Sequence, residues 1–228
     1  MKIQHPIPAK QIKLLVFDLD GTLIDSRQDL VNSVNASLRF LGRQELPSDV
    51  IASLVGDGAP VLVRRALGDP VDESLILRGL EYFITYYREH KLDHTTLYAG
   101  IPEALHSLQG SNGTVRKMAV LTNKPVRPAQ GIVDALGISS FFPIVYGGNS
   151  FDTKKPDPLG IQTILAETGT KPDETLMIGD SAVDILTGRN AGTWTCGVTY
   201  GFAPHTLCEA PPDAIVESPH ELAQLLGE

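Results

Sequence analysis

The chain has 228 residues, of which 42% are hydrophobic and 20% are charged, a composition typical of a globular protein rather than a disordered one. Its formal net charge of −8 argues against nucleic acid as a partner, because an acidic surface repels a phosphate backbone. No apolar run approaches the roughly 20 residues needed to cross a bilayer, and the N-terminal stretch lacks the long apolar segment of a signal peptide. We therefore expect a cytoplasmic protein with no membrane partner.

Short apolar runs that end in turn residues recur along the chain and are typical of buried parallel strands. They occupy residues 12–17, 117–121, 144–146, 175–178, 194–198 and, as a last edge strand, 213–216. Helical patterns lie between them, at residues 102–108, 127–136, 159–168, 182–191 and 220–226. Strands that alternate with helices predict an α/β fold with a doubly wound parallel sheet, similar to a Rossmann fold.

One stretch, from residue 26 to residue 93, breaks this alternation because it shows amphipathic helical periodicity and no convincing strand. Its predicted helices occupy residues 26–41, 47–55, 59–67 and 74–91. A bundle inserted after the first strand predicts a small helical cap, residues 26–96, on a core formed by residues 1–25 and 97–228. The two chain crossings are expected side by side, near residues 24–26 and 97–100.

The first strand ends in DLDGTLIDS, which places Asp18 and Asp20 where open α/β sheets bind ligands. Two carboxylates repel each other by about 4 kcal/mol at roughly 4 Å and an effective dielectric constant of about 20. A divalent cation reverses that cost, and Mg²⁺ prefers carboxylate oxygens. Gly21 and Thr22 follow in a tight turn whose N–H groups can bind an anion. The same pattern arises when one aspartate caps a helix and the next lies in a turn. This motif alone therefore does not decide between a metal site and an ordinary turn.

Polar residues also follow the later strands. Thr122 and Asn123 end the second strand, and Lys155 lies in the loop after the third. Asp180 and Asp184 lie four residues apart after the strand at 175–178. Each residue has an ordinary explanation by itself, as a helix cap or a solvated charge. Because the carboxyl ends of parallel strands meet at one edge of a sheet, together they predict one crevice that contains carboxylates, a hydroxyl and a lysine.

These motifs resemble those of the haloacid dehalogenase superfamily, in its phosphatase branch. DLDGT is similar to the first family motif, TN at Thr122 to the second, Lys155-Pro156 to the third and GDSAVD to the fourth. The helical insertion has the position of the family's small cap. Four further segments, VGDGAPVLVRRALG, TNKP, KKPDP and VTYGF, resemble those of bacterial phosphoglycolate phosphatases.

The resemblance implies a Mg²⁺-dependent phosphatase in which Asp18 forms an aspartyl-phosphate and Asp20 is the general acid and base. Mg²⁺ would be held by Asp18, by the Asp20 backbone carbonyl and by Asp180, with Asp184 supporting Lys155 or a metal-bound water. The catalytic set would be completed by Thr122 and Lys155. The resemblance implies that the phosphoryl oxygens are bound by Gly21, Thr22, Thr122, Asn123 and Lys155.

The cap would exclude water and select the leaving group. Its turn at residues 56–59 could offer a substrate carboxylate the N–H groups of Gly56, Asp57, Gly58 and Ala59. Arg64 or Arg65, which follow the turn in the sequence, could bind the substrate carboxylate instead. It is equally consistent with the sequence that both arginines are solvent-facing helix residues. The substrate implied is a small phosphorylated metabolite such as 2-phosphoglycolate, and the protein would be a monomer or a homodimer.

Several alternatives stay open. A dehalogenase has no use for Mg²⁺ or for Asp20, whereas a sugar-phosphate phosphatase, a phosphomutase or a pyrophosphatase would share every core residue. A binding protein on an inactive version of the fold would be free to lose Asp18, Asp20 or Lys155, and all three are present. The six histidines lack metal-ligand spacing. Cys196 lies in an apolar strand pattern, and its pairing with Cys208 in a disulfide is left open.

Overall fold

The computed structural model describes residues 1–69, 71–110 and 115–227. In this part of the chain the strands are β1 (Lys2–Ile3), β2 (Leu14–Phe17), β3 (Ile24–Asp25), β4 (Thr96–Leu97), β5 (Lys117–Leu121), β6 (Ile144–Tyr146), β7 (Thr175–Gly179), β8 (Trp194–Val198) and β9 (Ala214–Val216). The α-helices are α1 (Arg27–Phe40), α2 (Ser48–Ser53), α3 (Ala59–Ala66), α4 (Glu73–His90), α5 (Ile101–Gln109), α6 (Val126–Ala135), α7 (Leu159–Thr168), α8 (Ala182–Asn190) and α9 (Pro219–Leu225). Short 3₁₀ helices cover Ala9–Gln11, Ser139–Phe141, Pro172–Glu174 and Pro204–Cys208.

Seven of these strands form one sheet in the order β1-β9-β8-β7-β2-β5-β6. Every neighbouring pair is parallel except β1 and β9, which are antiparallel. The prediction that residues 213–216 form the edge strand is wrong, because β1 pairs with β9 and occupies that edge. A strand of two residues is too short to show periodicity in the sequence.

Helices cover both faces of the sheet, as expected for a doubly wound α/β fold. On one face Leu15 and Phe17 of β2 belong to a core shared with α5, α6 and α9. On the other face Leu14 and Val16 pack with α7. All four β2 residues are fully buried, which explains why this strand is a continuous apolar run rather than an alternating one. The predicted fold class is confirmed.

The helices α1–α4 form a separate bundle between β3 and β4 and have their own apolar core, which includes Leu38, Ile51 and Leu62. The chain enters the bundle from β3 and leaves it through β4, and these two strands pair in an antiparallel manner, Ile24 with Leu97. This is the side-by-side crossing expected from the sequence. The exact domain ranges stay a prediction, and they include residues 70, 111–114 and 228, which lie outside the described residues.

Candidate active site

Three buried aspartates meet at the carboxyl edge of the sheet. Asp18 follows β2 and Asp180 follows β7, and these strands are parallel neighbours. Asp184 lies in the first turn of α8. One carboxylate oxygen of each aspartate lies within 4.8 Å of the others, and the three residues are only 7%, 3% and 1% exposed. The pairing of β2 with β7 therefore brings the first and fourth motifs of the sequence into contact.

Lys155 lies between two of these carboxylates. Its Nζ donates to Asp18 Oδ1 at 2.7 Å and to Asp184 Oδ1 at 2.6 Å. Burial lowers the pKa of Lys155, but the attraction of Asp18 and Asp184 outweighs burial and raises this pKa above its ordinary value. Asp184 also accepts hydrogen bonds at Oδ2 from the Ser181 backbone N–H and hydroxyl, at 3.1 and 2.6 Å. Lys155 therefore stays charged, and Asp184 holds it beside Asp18.

The cluster carries more negative charge than Lys155 can offset. Burial raises the pKa of Asp18 to about 6, against the opposing effect of Lys155. Burial, and then repulsion by Asp184 and Asp18, raises the pKa of Asp180 to about 7. Three buried carboxylates with a shortage of positive charge fit a divalent cation, whose charge would remove this penalty. The Asp cluster can therefore hold a metal ion.

The Asp180 carboxylate is held in place by the loop after β8. Its Oδ2 accepts hydrogen bonds from the backbone N–H groups of Phe202 and Ala203, at 2.6 and 3.0 Å. Any Cβ at Gly201, or at Gly21 with its φ of +87°, would overlap Asp180. The loop therefore positions one carboxylate of the aspartate cluster. This loop contains the VTYGF segment, whose role does not follow from the sequence.

Asp20 forms an ion pair with Lys124, which is not among the site residues predicted from the sequence. Lys124 Nζ lies 2.7 and 2.8 Å from the two Asp20 carboxylate oxygens, and the Ser26 hydroxyl donates to Oδ1. Lys124 Nζ also lies 4.8 Å from the centroid of the Tyr87 ring, which belongs to α4 in the cap. The position of Lys124, three residues beyond β5 at the same sheet edge, was the signal that could have identified it.

Thr122 and Asn123 also lie at this edge. Thr122 is 3% exposed, and its hydroxyl accepts a hydrogen bond from the Lys124 N–H at 3.2 Å. The Asn123 side chain donates to the carbonyls of Gly56 and Lys155, at 3.0 and 3.2 Å, and accepts from the Lys155 N–H at 3.1 Å. Asn123 thus links a cap turn to the loop that carries Lys155, so its side chain has a positioning role in the structure.

Gly21 and Thr22 do not line the crevice in which they were expected. The Gly21 N–H donates to the Ile24 carbonyl at 2.9 Å, and the Thr22 N–H donates to the Leu19 carbonyl at 3.3 Å. Thr22 is also 1% exposed. Because both N–H groups are used within the turn itself, these contacts do not support phosphate binding by either residue.

A cavity of about 660 Å³ separates the cap from the site. Its floor is formed by the polar residues Asp18, Asp20, Thr122, Asn123, Lys155 and Asp180. Its cap wall is mainly apolar and includes Leu30, Leu62, Phe83 and Ile84. The cavity is concave, bordered by two domains and polar at one end, as expected of a site for a small molecule.

The predicted cap residues divide into two groups. Gly56, Gly58 and Ala59 line the cavity. Asp57 and Arg64 do not, because they are used in ion pairs within the cap. Asp57 Oδ2 lies 2.7 Å from a guanidinium nitrogen of Arg65, and Arg64 lies 2.7 and 2.8 Å from the Glu73 carboxylate oxygens. The solvent-facing interpretation of the two arginines therefore agrees better with their contacts.

The remaining candidate residues lie apart from the site. In the described part of the chain, the three aspartates are the cluster of metal-ligating side chains, and no histidine belongs to it. Cys196 is buried, Cys208 is exposed, and both are free thiols, so the disulfide left open above is absent. Among the described residues, every helix is too short or too polar to cross a lipid bilayer.

Comparisons with known proteins place the chain in a family. The family described as haloacid dehalogenase-like hydrolase matches residues 15–198. The phosphoglycolate phosphatase of Chromobacterium violaceum is 38% identical over 95% of this chain and 97% of its own length. That of Haemophilus influenzae is 36% identical over 95% and 98%. A crystal structure described as a predicted phosphoglycolate phosphatase, from Haemophilus somnus, superposes with a TM-score of 0.87 at 30% identity, covering 94% of this chain and 98% of that one. The chain therefore belongs to the haloacid dehalogenase-like hydrolase family.

Proposed function

We propose that this protein is a Mg²⁺-dependent phosphomonoesterase that acts through an aspartyl-phosphate on Asp18, with 2-phosphoglycolate as the model substrate. The observation that carries the proposal is the contact of Asp18 with Lys155 in a cluster of buried aspartates, on the floor of the cavity between cap and core. The relatives named phosphoglycolate phosphatase support the substrate class. Cytoplasmic location, and a monomeric or homodimeric state, stay predictions from the sequence.

In the first step, an Asp18 carboxylate oxygen would attack phosphorus, and the bond from phosphorus to the leaving-group oxygen would break. Lys155, held by Asp184, would neutralise charge on the phosphoryl oxygens, and the Thr122 hydroxyl would donate to them. Mg²⁺, held by the Asp18 and Asp180 carboxylates and the Asp20 carbonyl, would supply further positive charge to the phosphoryl group.

Asp20 would give its proton to the leaving alkoxide and so release an alcohol. In the second step a water would attack phosphorus, the bond to Asp18 would break, and Asp20 would take the proton of that water. Inorganic phosphate would leave and the free Asp18 carboxylate would be restored. In the structure the Asp20 carboxylate is paired with Lys124, and the second step uses a carboxylate at this position. The first step requires the protonated form, so this ion pair has to open during turnover.

The first test is phosphate release from 2-phosphoglycolate and p-nitrophenyl phosphate, with Mg²⁺ or with excess EDTA and without any bisphosphate activator. We expect turnover that requires added metal, and a loss of about a thousandfold or more in Asp18→Asn, because the nucleophilic charge is removed. Asp134→Asn, on the exposed face of α6, is the matched control and should retain full activity.

Full activity in EDTA, or more than about a tenth of wild-type activity in Asp18→Asn, would contradict the mechanism. A requirement for a bisphosphate activator would indicate the phosphomutase alternative. Higher kcat/KM for pyrophosphate than for every monoester would indicate the pyrophosphatase alternative.

A further inference from the structure

Three basic side chains line the same cavity as the catalytic residues but are far from Asp18 in the chain. Arg88 lies in the last turn of α4, and Lys91 follows this helix directly. Arg127 lies in the first turn of α6, in the core. The Lys91 ε-carbon is 3.6 Å from the position that a Cβ of Gly131 would occupy, so the end of α4 lies against α6. The cap and the core therefore both contribute positive charge to this part of the cavity.

These charges have no acidic partner in the described part of the chain. The ion pairs there use Arg39, Arg64 and Arg65, among others, whereas Arg88, Lys91 and Arg127 belong to none of them. The Lys91 ammonium donates to the Arg88 carbonyl at 3.0 Å, which leaves its charge uncompensated. On a protein with a formal net charge of −8, a cluster of uncompensated cations at a cavity creates a local positive potential.

Helix stability does not account for Arg127. The first turn of a helix carries partial positive charge from its free N–H groups, so a cation there is unfavourable, and this turn of α6 contains no acidic residue. The neighbours of Arg127 one turn ahead, Gln130 and Gly131, are also uncharged. Arg88 lies at a helix end where a cation is favourable, but its side chain is directed to the cavity rather than to an acidic neighbour.

The two ends of a bound phosphate ester would meet different surroundings in this cavity. The phosphoryl group belongs at Asp18, Lys155 and Thr122, on the polar floor. The wall above is mainly apolar, so the basic groups of Arg88, Lys91 and Arg127 are the cavity groups best suited to a second negative charge. A guanidinium can bind a carboxylate through two parallel hydrogen bonds.

We propose that Arg88 and Arg127, together with Lys91, bind a carboxylate on the leaving group and so make the enzyme selective for small phosphorylated hydroxy acids. This inference rests on the proposed phosphatase function. It assigns substrate selection to residues from both the cap and the core, so a substrate carboxylate would connect the two. Arg88 and Arg127 would then have the carboxylate-binding role that was expected of Arg64, whose guanidinium is paired with Glu73.

The test compares kcat/KM for 2-phosphoglycolate and for its amide, which has the same phosphate and nearly the same shape but no carboxylate charge. The quantity measured is the ratio of the two values, acid over amide, in the Mg²⁺-loaded wild type and in Arg88→Gln and Arg127→Gln. We expect the wild type to prefer the acid and each variant to lower the ratio at least about tenfold, mainly through a higher KM for the acid. Arg88→Lys should restore part of the ratio.

Arg78→Gln is the matched control, because Arg78 is an exposed arginine on the same helix that lies outside the cavity. Its ratio should equal that of the wild type, and thermal melting should show that all variants are folded. A wild-type ratio near one, or equal losses on acid and amide in both variants, would overturn the inference while leaving the phosphatase intact. A wild type that hydrolyses neither compound nor any other phosphate ester would instead overturn the proposed function.

Discussion

At the scale of single residues, the buried carboxylates of the site outnumber the cations that touch them. Lys155 contacts Asp18 and Asp184, whereas Asp180 is held by the N–H groups of Phe202 and Ala203. Hydrogen bonds from neutral donors orient a carboxylate but supply only partial positive charge. Without a bound cation, repulsion between the buried carboxylates destabilises the folded protein. Asp180 should therefore reduce the stability of the metal-free protein.

The corresponding prediction concerns Asp180→Asn in EDTA. Burial and the neighbouring aspartates raise the pKa of Asp180 from 3.8 to about 7 in the folded protein. The stability contributed by its protonated form is fully present below pH ~4 and is lost as the pH rises through about 7. Asp180→Asn should therefore be more stable than the wild type at pH ~7.5, by roughly 1–4 kcal/mol, and this difference should vanish towards pH ~4.

Melting temperatures of both proteins, followed by circular dichroism between pH ~4 and ~8 in EDTA, measure this difference. Asp134→Asn serves as an exposed control for the loss of one charge. A stability difference that does not vary with pH would show that Asp180 is not the titrating group. Asp180→Asn should also be inactive with Mg²⁺, because it removes a proposed metal ligand.

At the scale of elements, the connection between core and cap depends on a buried aspartate that is not among the site residues predicted from the sequence. Asp29, in the first turn of α1, is fully buried. Its carboxylate accepts hydrogen bonds from the His94 N–H at 3.0 and 3.1 Å, from the Thr95 N–H at 2.9 Å and from the Thr95 hydroxyl at 2.7 Å. The segment that re-enters the core is thus attached to the helix that leaves it, next to the β3–β4 pair.

We expect Asp29→Ala to destabilise the protein by about 3 kcal/mol or more, because the partly buried His94 N–H and the buried N–H and hydroxyl of Thr95 would lose their acceptor. For a chain of this size, each kcal/mol corresponds to a decrease of about 2–4 °C in Tm. Asp49→Ala, in the exposed first turn of α2, controls for the loss of an acidic residue near a helix N-terminus. Equal decreases in Tm for both variants would mean that Asp29 stabilises the protein only as an acidic residue near a helix N-terminus, and not through its hydrogen bonds to His94 and Thr95.

At the scale of the whole molecule, the cap and the core meet over the proposed catalytic residues, and Lys124 contacts both the cap and the core. It forms an ion pair with Asp20 of the core and lies under the ring of Tyr87 of the cap. Burial lowers the pKa of Lys124, but attraction by Asp20 and Tyr87 outweighs burial and raises it overall. A charged lysine at this point makes the placement of Asp20, the proposed general acid and base, depend on where the cap lies.

Lys124→Met should therefore lower kcat/KM by roughly ten- to a hundredfold, since a displaced catalytic group commonly costs that much. The loss should be the same for 2-phosphoglycolate and its amide, because Lys124 acts on Asp20 and not on the leaving-group carboxylate. Steady-state kinetics on both compounds, with Lys10→Met as an exposed control, measure it. Unchanged activity, or a loss confined to the acid, would contradict this role.

The family was recognisable from the sequence because its motifs follow successive strands. In a parallel sheet the carboxyl ends of the strands meet at one edge, so Asp18, Thr122, Lys155 and Asp180 had to lie near one another once the strands were identified. The helical insertion was recognisable for a similar reason, since a period of 3.6 residues over four segments excludes strands. The predicted helices agree with the structure to within one or two residues at each end.

The tertiary structure alone decided which cap residues face the cavity. Apolar periodicity shows which side of a helix is buried, but it does not show what the exposed side faces, so Arg64 and Arg88 had the same pattern in the sequence. Folding paired Arg64 with Glu73 inside the cap, whereas Arg88 lines the cavity that Arg127 lines from the core. The contacts of Lys124 with Asp20 and of Asp29 with Thr95 join residues far apart in the chain, and no local pattern encodes such contacts because they exist only once the cap is packed on the core.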